Sequence, residues 1–192
     1  MEIKRNKTAA ASHRPTFVTD QFVKTPPYYL LFYGIIELTS SFYGEKQMRS
    51  IIRIMTKEDK PCIMEMMRVF YASPAVLTNG SEEIFSNDID NCVNDNPYLE
   101  GYVFEESGKV QGYAMVAKSF STEFGKPCIW IEDLYLKDQY RGSGLGKAFF
   151  DFITEKYTDC IFRLEVEEEN GRAIRLYKKC GFDVLPYMEM KK

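Results

Sequence analysis

The sequence predicts an α/β fold of the α+β kind: a mixed, mostly antiparallel central sheet with helices on both faces, in the order β-α-α-β-β-β-α-β-α-β. Apolar residues recur at helical spacing in separate stretches, and runs rich in β-branched and aromatic residues lie between them. One such run also passes through three closely spaced glycines directly into an amphipathic helix.

Residues 1–50 differ from the remainder. A basic, small-residue start (Lys4, Arg5, Lys7, Ala9, Ala10, Ala11) leads to Pro26-Pro27 and then to a nine-residue apolar run, Tyr28 to Ile36. A bilayer span needs about 20 apolar residues, and a secretory signal places its apolar stretch directly after the basic start. Neither a membrane span nor export is expected. Residues 1–50 read as an N-terminal extension of unknown role on a domain covering 51–192. Met48 is a candidate start, and residues 28–43 offer an apolar contact for a possible homodimer.

From Ile51 the pattern becomes regular. A short strand, Ile51 to Met55, precedes a helix from about Lys57 to Tyr71, whose Ile63, Met66, Met67 and Phe70 recur at helical spacing as core filling. A loop through Ser73-Pro74 and Asn79-Gly80 leads to a helix from Glu82 to about Val93. Tyr98–Phe104 and Val110–Phe120 form a hairpin around Ser107-Gly108. Then come a strand at Cys128–Lys137, a helix at Gly144–Tyr157, a strand at Ile161–Val166, a helix at Arg172–Cys180 and a final strand at Phe182–Met190.

Composition narrows the chemistry. Lys and Arg total 25 against 28 Asp and Glu, a net charge of −3 that gives no basic excess for a nucleic-acid partner. The five cysteines are odd in number and widely spaced without a CxxC, which fits a reducing cytoplasm. The single histidine, His13, lies in the polar leader, so no metal site and no Ser-His or Cys-His dyad is expected in the core.

The informative stretch runs from Asp133 to Lys147, with glycines at 142, 144 and 146 before the amphipathic helix. Consecutive backbone N–H groups in such a turn, together with the positive end of the helix dipole, make a nest for an anion. Arg141 and Lys147 add charge beside it. A nucleotide P-loop needs Ser or Thr after its lysine, and Ala148 stands there. A dinucleotide fingerprint needs G-x-G-x-x-G, and the spacing here is G-x-G-x-G, although Glu165 lies about 20 residues on where a ribose partner belongs. A plain helix-initiating turn accounts for the same glycines.

Arg141-x-x-Gly144-x-Gly146 resembles the R/Q-x-x-G-x-G/A motif of the GNAT superfamily of acyl-CoA N-acyltransferases. A second match follows, where Asn170, Ala173, Tyr177, Gly181 and Phe182 resemble that family's N-x-x-A-x-x-x-Y-x-x-x-G-F pattern. The resemblance spans about residues 51–190 and implies the GNAT fold with acetyl-CoA as acyl donor. It implies that the backbone of Arg141, Gly142, Ser143, Gly144, Leu145 and Gly146, with Lys147 beside it, cradles the coenzyme's diphosphate. The strands at 128–137 and 161–166 would splay to admit the pantetheine arm, with backbone hydrogen bonds from Leu134 and Leu136. Asn170 and Ala173 would line the other side, and Tyr177 would be directed at the thioester sulfur. For Asn170, a helix N-cap is an equally ordinary role.

The function implied is acetyl transfer from acetyl-CoA to a primary amine of a small molecule or peptide, by direct attack in a ternary complex and without a metal. An amine of pKa about 10.4 is only about one part in a thousand neutral at pH 7, so a base is needed. Glu132 and Asp133 sit beside the expected thioester, and strand alternation turns them to opposite faces. Glu132 is the expected base, because Ile131-Glu132-Asp133-Leu134 resembles the corresponding stretch of polyamine-type members. A phenol is protonated at pH 7, which suits Tyr177 as acid for the departing thiolate. A backbone N–H near Leu134 or Tyr135 would hold the oxyanion. An acetyl-CoA sensor without turnover and an NAD(P)-dependent oxidoreductase stand as alternatives. Between Ala72 and Gly108 lie eight acidic residues and no Lys or Arg, a segment charge of −8 that leaves +5 elsewhere. Such a field draws in a cationic amine, and a solvated surface explains the same charges.

Overall fold

The computed structural model describes residues 36–38 and 50–192. Their elements run β1 (Ile36–Leu38), β2 (Ser50–Ile54), α1 (Lys60–Tyr71), α2 (Glu82–Val93), β3 (Leu99–Glu106), β4 (Lys109–Ser121), β5 (Lys126–Leu136), α3 (Leu145–Lys156), β6 (Ile161–Leu164) and α4 (Gly171–Lys179). The strands form one sheet in chain order, antiparallel from β1 to β5, with β6 joined parallel to β5. That parallel join needs a crossover, which α3 supplies.

Local chemistry sets the element ends. Pro61 sits in the first turn of α1, where its missing N–H costs nothing. Ser81 caps α2 by accepting the Ile84 N–H at 3.2 Å. At the β3–β4 hairpin both Ser107 (φ 51°) and Gly108 (φ 76°) are left-handed, as a tight hairpin turn requires.

The sheet carries a core on each face. Against α1 and α2, Met55, Ile63, Met66, Met67, Phe85 and Ile89 pack with Val103, Tyr113, Met115 and Tyr135. The methionines of α1 are core filling, as their spacing predicts. Against α3, Phe149, Phe150 and Ile153 pack with Ile52, Tyr102, Phe104, Ile129 and Ile131, and α4 adds Leu176 and Tyr177 at the margin. Aromatic residues bury large areas at fixed ring geometries and dominate this second layer.

Two features differ from the sequence reading. The expected strand at Phe182–Met190 does not form: residues after α4 are irregular. Pro186 removes a ladder donor in the middle of that run, and Val184, Tyr187, Met188 and Met190 are exposed. At the other end, Ile36–Leu38 pairs with Ser50–Ile52 as an extra edge strand. Apart from the backbone of those three residues, the 1–50 extension lies outside the described residues. The same holds for the 28–43 dimer contact and the Met48 start.

Candidate active site

β5 and β6 pair over only four residues each, from Cys128 opposite Ile161 to Ile131 opposite Leu164. β6 ends there, while β5 continues to Leu136. The Lys137 N–H donates to the Gln111 carbonyl at 2.9 Å, on the β4 side. Backbone groups alternate in direction along a strand, so those of Tyr135 face β4 while those of Leu134 and Leu136 face the side that β6 has left. The Leu136 carbonyl on that side accepts Arg141 Nε at 2.8 Å. Leu134 N–H and C=O and the Leu136 N–H therefore border an open wedge in the sheet.

The glycine turn closes the end of this wedge. Gly142 (φ 87°) and Gly144 (φ 96°) are both left-handed, and Gly144 begins α3 without any side-chain cap. The first N–H groups of α3 consequently have no side-chain acceptor and lie at the positive end of its dipole. Ser143 Oγ donates to the Tyr140 carbonyl at 2.7 Å, which fixes the turn. Arg141 is engaged by Asp138 at 2.7 Å as well as by Leu136, and lies over the Tyr135 ring. Lys147 pairs with Asp151 at 2.6 Å. Leu145 is buried in the α3 core, so only its backbone is available to a ligand. Gly146 is a packing glycine: a Cβ there would lie 2.8 Å from Leu176 Cδ2, so its absence lets α4 press against α3.

On α4, the Asn170 side chain accepts the Ala173 N–H at 3.2 Å and caps the helix. Tyr177 packs edge-on to Phe150, with ring centroids 5.6 Å apart, and against Phe182 at 6.1 Å. Its hydroxyl makes no hydrogen bond among the described residues. Burial pushes this phenol up to about 12, so it is protonated throughout the neutral range.

Strand alternation does not govern Glu132 and Asp133. Met115 pairs with Asp133 and Val116 with Ile131, leaving Glu132 as the surplus residue of a β-bulge. Glu132 is exposed and makes no hydrogen bond or ion pair among the described residues. Partial desolvation, with the negative charges of Asp88 and Glu189, still raises its carboxyl above the usual range. Asp133 is only 4% exposed. It accepts hydrogen bonds from Tyr113 Oη at 3.0 Å and Tyr71 Oη at 3.2 Å. Burial outweighs these two bonds and pushes Asp133 up to about 6. The sequence reading missed both tyrosines, which reach Asp133 from the end of α1 and from β4.

Four of the eight acids of the acidic segment are neutralised from outside it. Glu82 pairs with Arg68, Asp90 with Lys60, Glu105 with Arg53, and Glu100 with both Lys118 and Lys156. Asp88 has no such cation among the described residues, and burial raises its carboxyl. Half of these eight acids are thus ion-paired, and Asp88 lies beside Glu132 and Asp133. Glu165, the residue weighed as a ribose partner, shares a hydrogen bond with Glu189, which pushes it up to about 7.

Residues 63–182, well over half of the chain, match the Acetyltransferase (GNAT) family. The chain is similar to a thialysine N-epsilon-acetyltransferase of Sus scrofa, 36% identical over 98 residues that cover 45% of this chain and 57% of that protein. It is also similar to a spermine/spermidine N(1)-acetyltransferase of Bacillus subtilis, 30% identical over 81 residues that cover 39% of this chain and 53% of that protein. The chain thus spans little more than half the length of these relatives. In fold it is similar to the crystal structure of a predicted acetyltransferase with acetyl-CoA from Clostridium acetobutylicum. That likeness has a TM-score of 0.58 at 17% identity and covers 74% of this chain and 96% of that one.

Proposed function

The chain belongs to the Acetyltransferase (GNAT) family, and from that membership we propose that it transfers an acetyl group from acetyl-CoA to a primary amine by direct attack. The observation that carries this reading is the wedge between β5 and β6, which ends on two left-handed glycines at the uncapped start of α3. An extended acyl-pantetheine arm matches the wedge, and a diphosphate matches the turn.

Each residue then has a role set by its position. The N–H groups from Gly142 to Lys147 face the diphosphate, and Leu134 and Leu136 hydrogen-bond the arm. The Leu134 N–H is the oxyanion donor, since that of Tyr135 is directed to β4. Asn170 and Ala173 start the helix that lines the opposite wall.

Glu132 is the base. It is exposed, unpaired and raised toward the working pH. Asp133 is a poorer candidate, because it is buried and both its oxygens are held by the phenols of Tyr113 and Tyr71. Tyr177 is the acid for the departing thiolate, being protonated and without an internal partner. The similarity to thialysine and spermine/spermidine acetyltransferases supports a small cationic amine as acceptor, and the unpaired acids Asp88 and Glu132 favour a cation at that end of the wedge.

The test is thiol release from acetyl-CoA in the presence of polyamines, amino acids, aminoglycosides and peptide N-termini. Amine-dependent release by at least one class is expected. Acetyl-CoA binding without release on any acceptor overturns the catalytic reading, and failure to bind acetyl-CoA overturns the assignment of the turn.

A further inference from the structure

The two cations contributed by the glycine turn itself are already committed. Arg141 is held by Asp138 and the Leu136 carbonyl, and Lys147 by both oxygens of Asp151. Arg172, in the first turn of α4, makes no hydrogen bond or ion pair among the described residues, and its side chain is exposed. Its Nη2 nevertheless lies 3.4 Å from the position that a Cβ on Gly142 would occupy. A free guanidinium therefore rests against the left-handed glycine of the anion nest, on a side that no side chain of residue 142 covers.

The electrostatics of α4 point the same way. A cation in the first turn of a helix opposes the dipole when nothing offsets it. The first turn of α4 contains no acidic residue to do so. The helix start is fixed by the Asn170 cap, and its approach to the turn is fixed by Leu176 against Gly146. The guanidinium is thus delivered by a packed helix to the glycine turn, and Glu167, Glu168 and Glu169, just before the Asn170 cap, make no ion pair with it among the described residues.

We propose that Arg172 is the side chain that grips a phosphate of the coenzyme at the glycine turn, its planar fork opposing the backbone N–H groups of α3 across that phosphate. This rests on the reading of the turn as the coenzyme site and adds to it a cation from outside the motif. Gly142 lies within the nest, which places the contact at the diphosphate. The 3′-phosphate is the other phosphate of the same ligand.

Calorimetric titration of the full chain with coenzyme A and with dephospho-coenzyme A tests this. The variants are Arg172→Ala, Arg172→Lys and, as a control for net charge on the same helix, Arg175→Ala. Loss of one charge-assisted phosphate contact weakens coenzyme A binding by about 10- to 100-fold in Arg172→Ala. Arg172→Lys falls between, Arg175→Ala changes affinity by less than about 2-fold, and the unliganded thermal midpoint of Arg172→Ala does not fall below the wild-type value. An equal loss with both ligands supports the contact at the diphosphate, and a loss confined to coenzyme A overturns it in favour of the 3′-phosphate. Unchanged affinity in Arg172→Ala overturns the proposal while leaving the turn as the coenzyme site, as does an equal loss in Arg175→Ala. Wild-type protein that binds neither ligand overturns the reading of the turn itself.

Discussion

Replacing Asp133 by Asn removes the ionisation of a carboxyl that is buried between Tyr71 and Tyr113. In the folded chain this carboxyl is pushed from 3.8 up to about 6, with desolvation the largest cause. Below pH 3.8 the group is neutral in folded and unfolded chains alike, and its neutral form fits the folded state at no electrostatic cost. As pH rises the unfolded chain ionises first, so stability falls progressively until the folded carboxyl also ionises near pH 6. The full displacement corresponds to about 3 kcal/mol. Urea unfolding of wild type and Asp133→Asn at matched pH values isolates the effect, because groups not coupled to Asp133 cancel in the difference. Between about pH 3.5 and pH 7 the wild type is expected to lose about 3 kcal/mol relative to the variant. A difference that stays flat across this range refutes the buried, destabilised carboxylate.

Three further outcomes are expected. Tyr177→Phe lowers turnover by about 100-fold or more with little change in acetyl-CoA affinity, as befits a proton donor; equal turnover in a stopped-flow thiol assay removes that role. In Glu132→Gln the rise of kcat/KM with pH through the titration of this carboxyl, which lies above its usual value, disappears from the pH profile; a retained rise places the base elsewhere. Gly112→Ala sets a Cβ 2.3 Å from the Tyr135 carbonyl oxygen and 2.7 Å from Leu136 Cδ2. It therefore destabilises the chain by about 1–3 kcal/mol, read as a lowered denaturant midpoint, and an unchanged midpoint contradicts the close β4–β5 approach.

Much of the architecture is legible because its signals are local. The helical spacing of Ile63, Met66 and Met67 and the Ser107-Gly108 turn each act within a few residues, and each element forms where the spacing predicts. The glycines at 142 and 144 are equally direct, since glycine adopts at little cost the left-handed backbone that this turn uses. The bulge at Glu132 is invisible in the sequence because no Gly, Pro or Asn marks it; it arises from the register against Met115 and Val116. The convergence of Tyr71, Tyr113 and Asp133 depends on that same register and on the docking of α1, so no local pattern encodes it. The acidic segment misleads for a related reason: its neutralising partners Arg53, Lys60, Arg68, Lys118 and Lys156 all come from other parts of the chain. The run after Phe182 fails in the opposite direction, where an apolar pattern suits a strand and a single proline interrupts it.

The surplus residue in β5 makes that strand two halves that are out of phase. Upstream, the odd-numbered Ile129 and Ile131 enter the layer beneath α3; downstream, the even-numbered Leu134 and Leu136 enter the same layer. Asp133 and Tyr135 are thereby sent to the α1 side. Were Glu132 held in a regular strand instead of being bulged out, strict alternation would transpose everything that follows. Two leucines would be exchanged for an acid and a phenol, and the rim that receives the ligand would be turned inside out. The strand's frame, set by one extra peptide unit, decides which chemistry each side of the sheet presents.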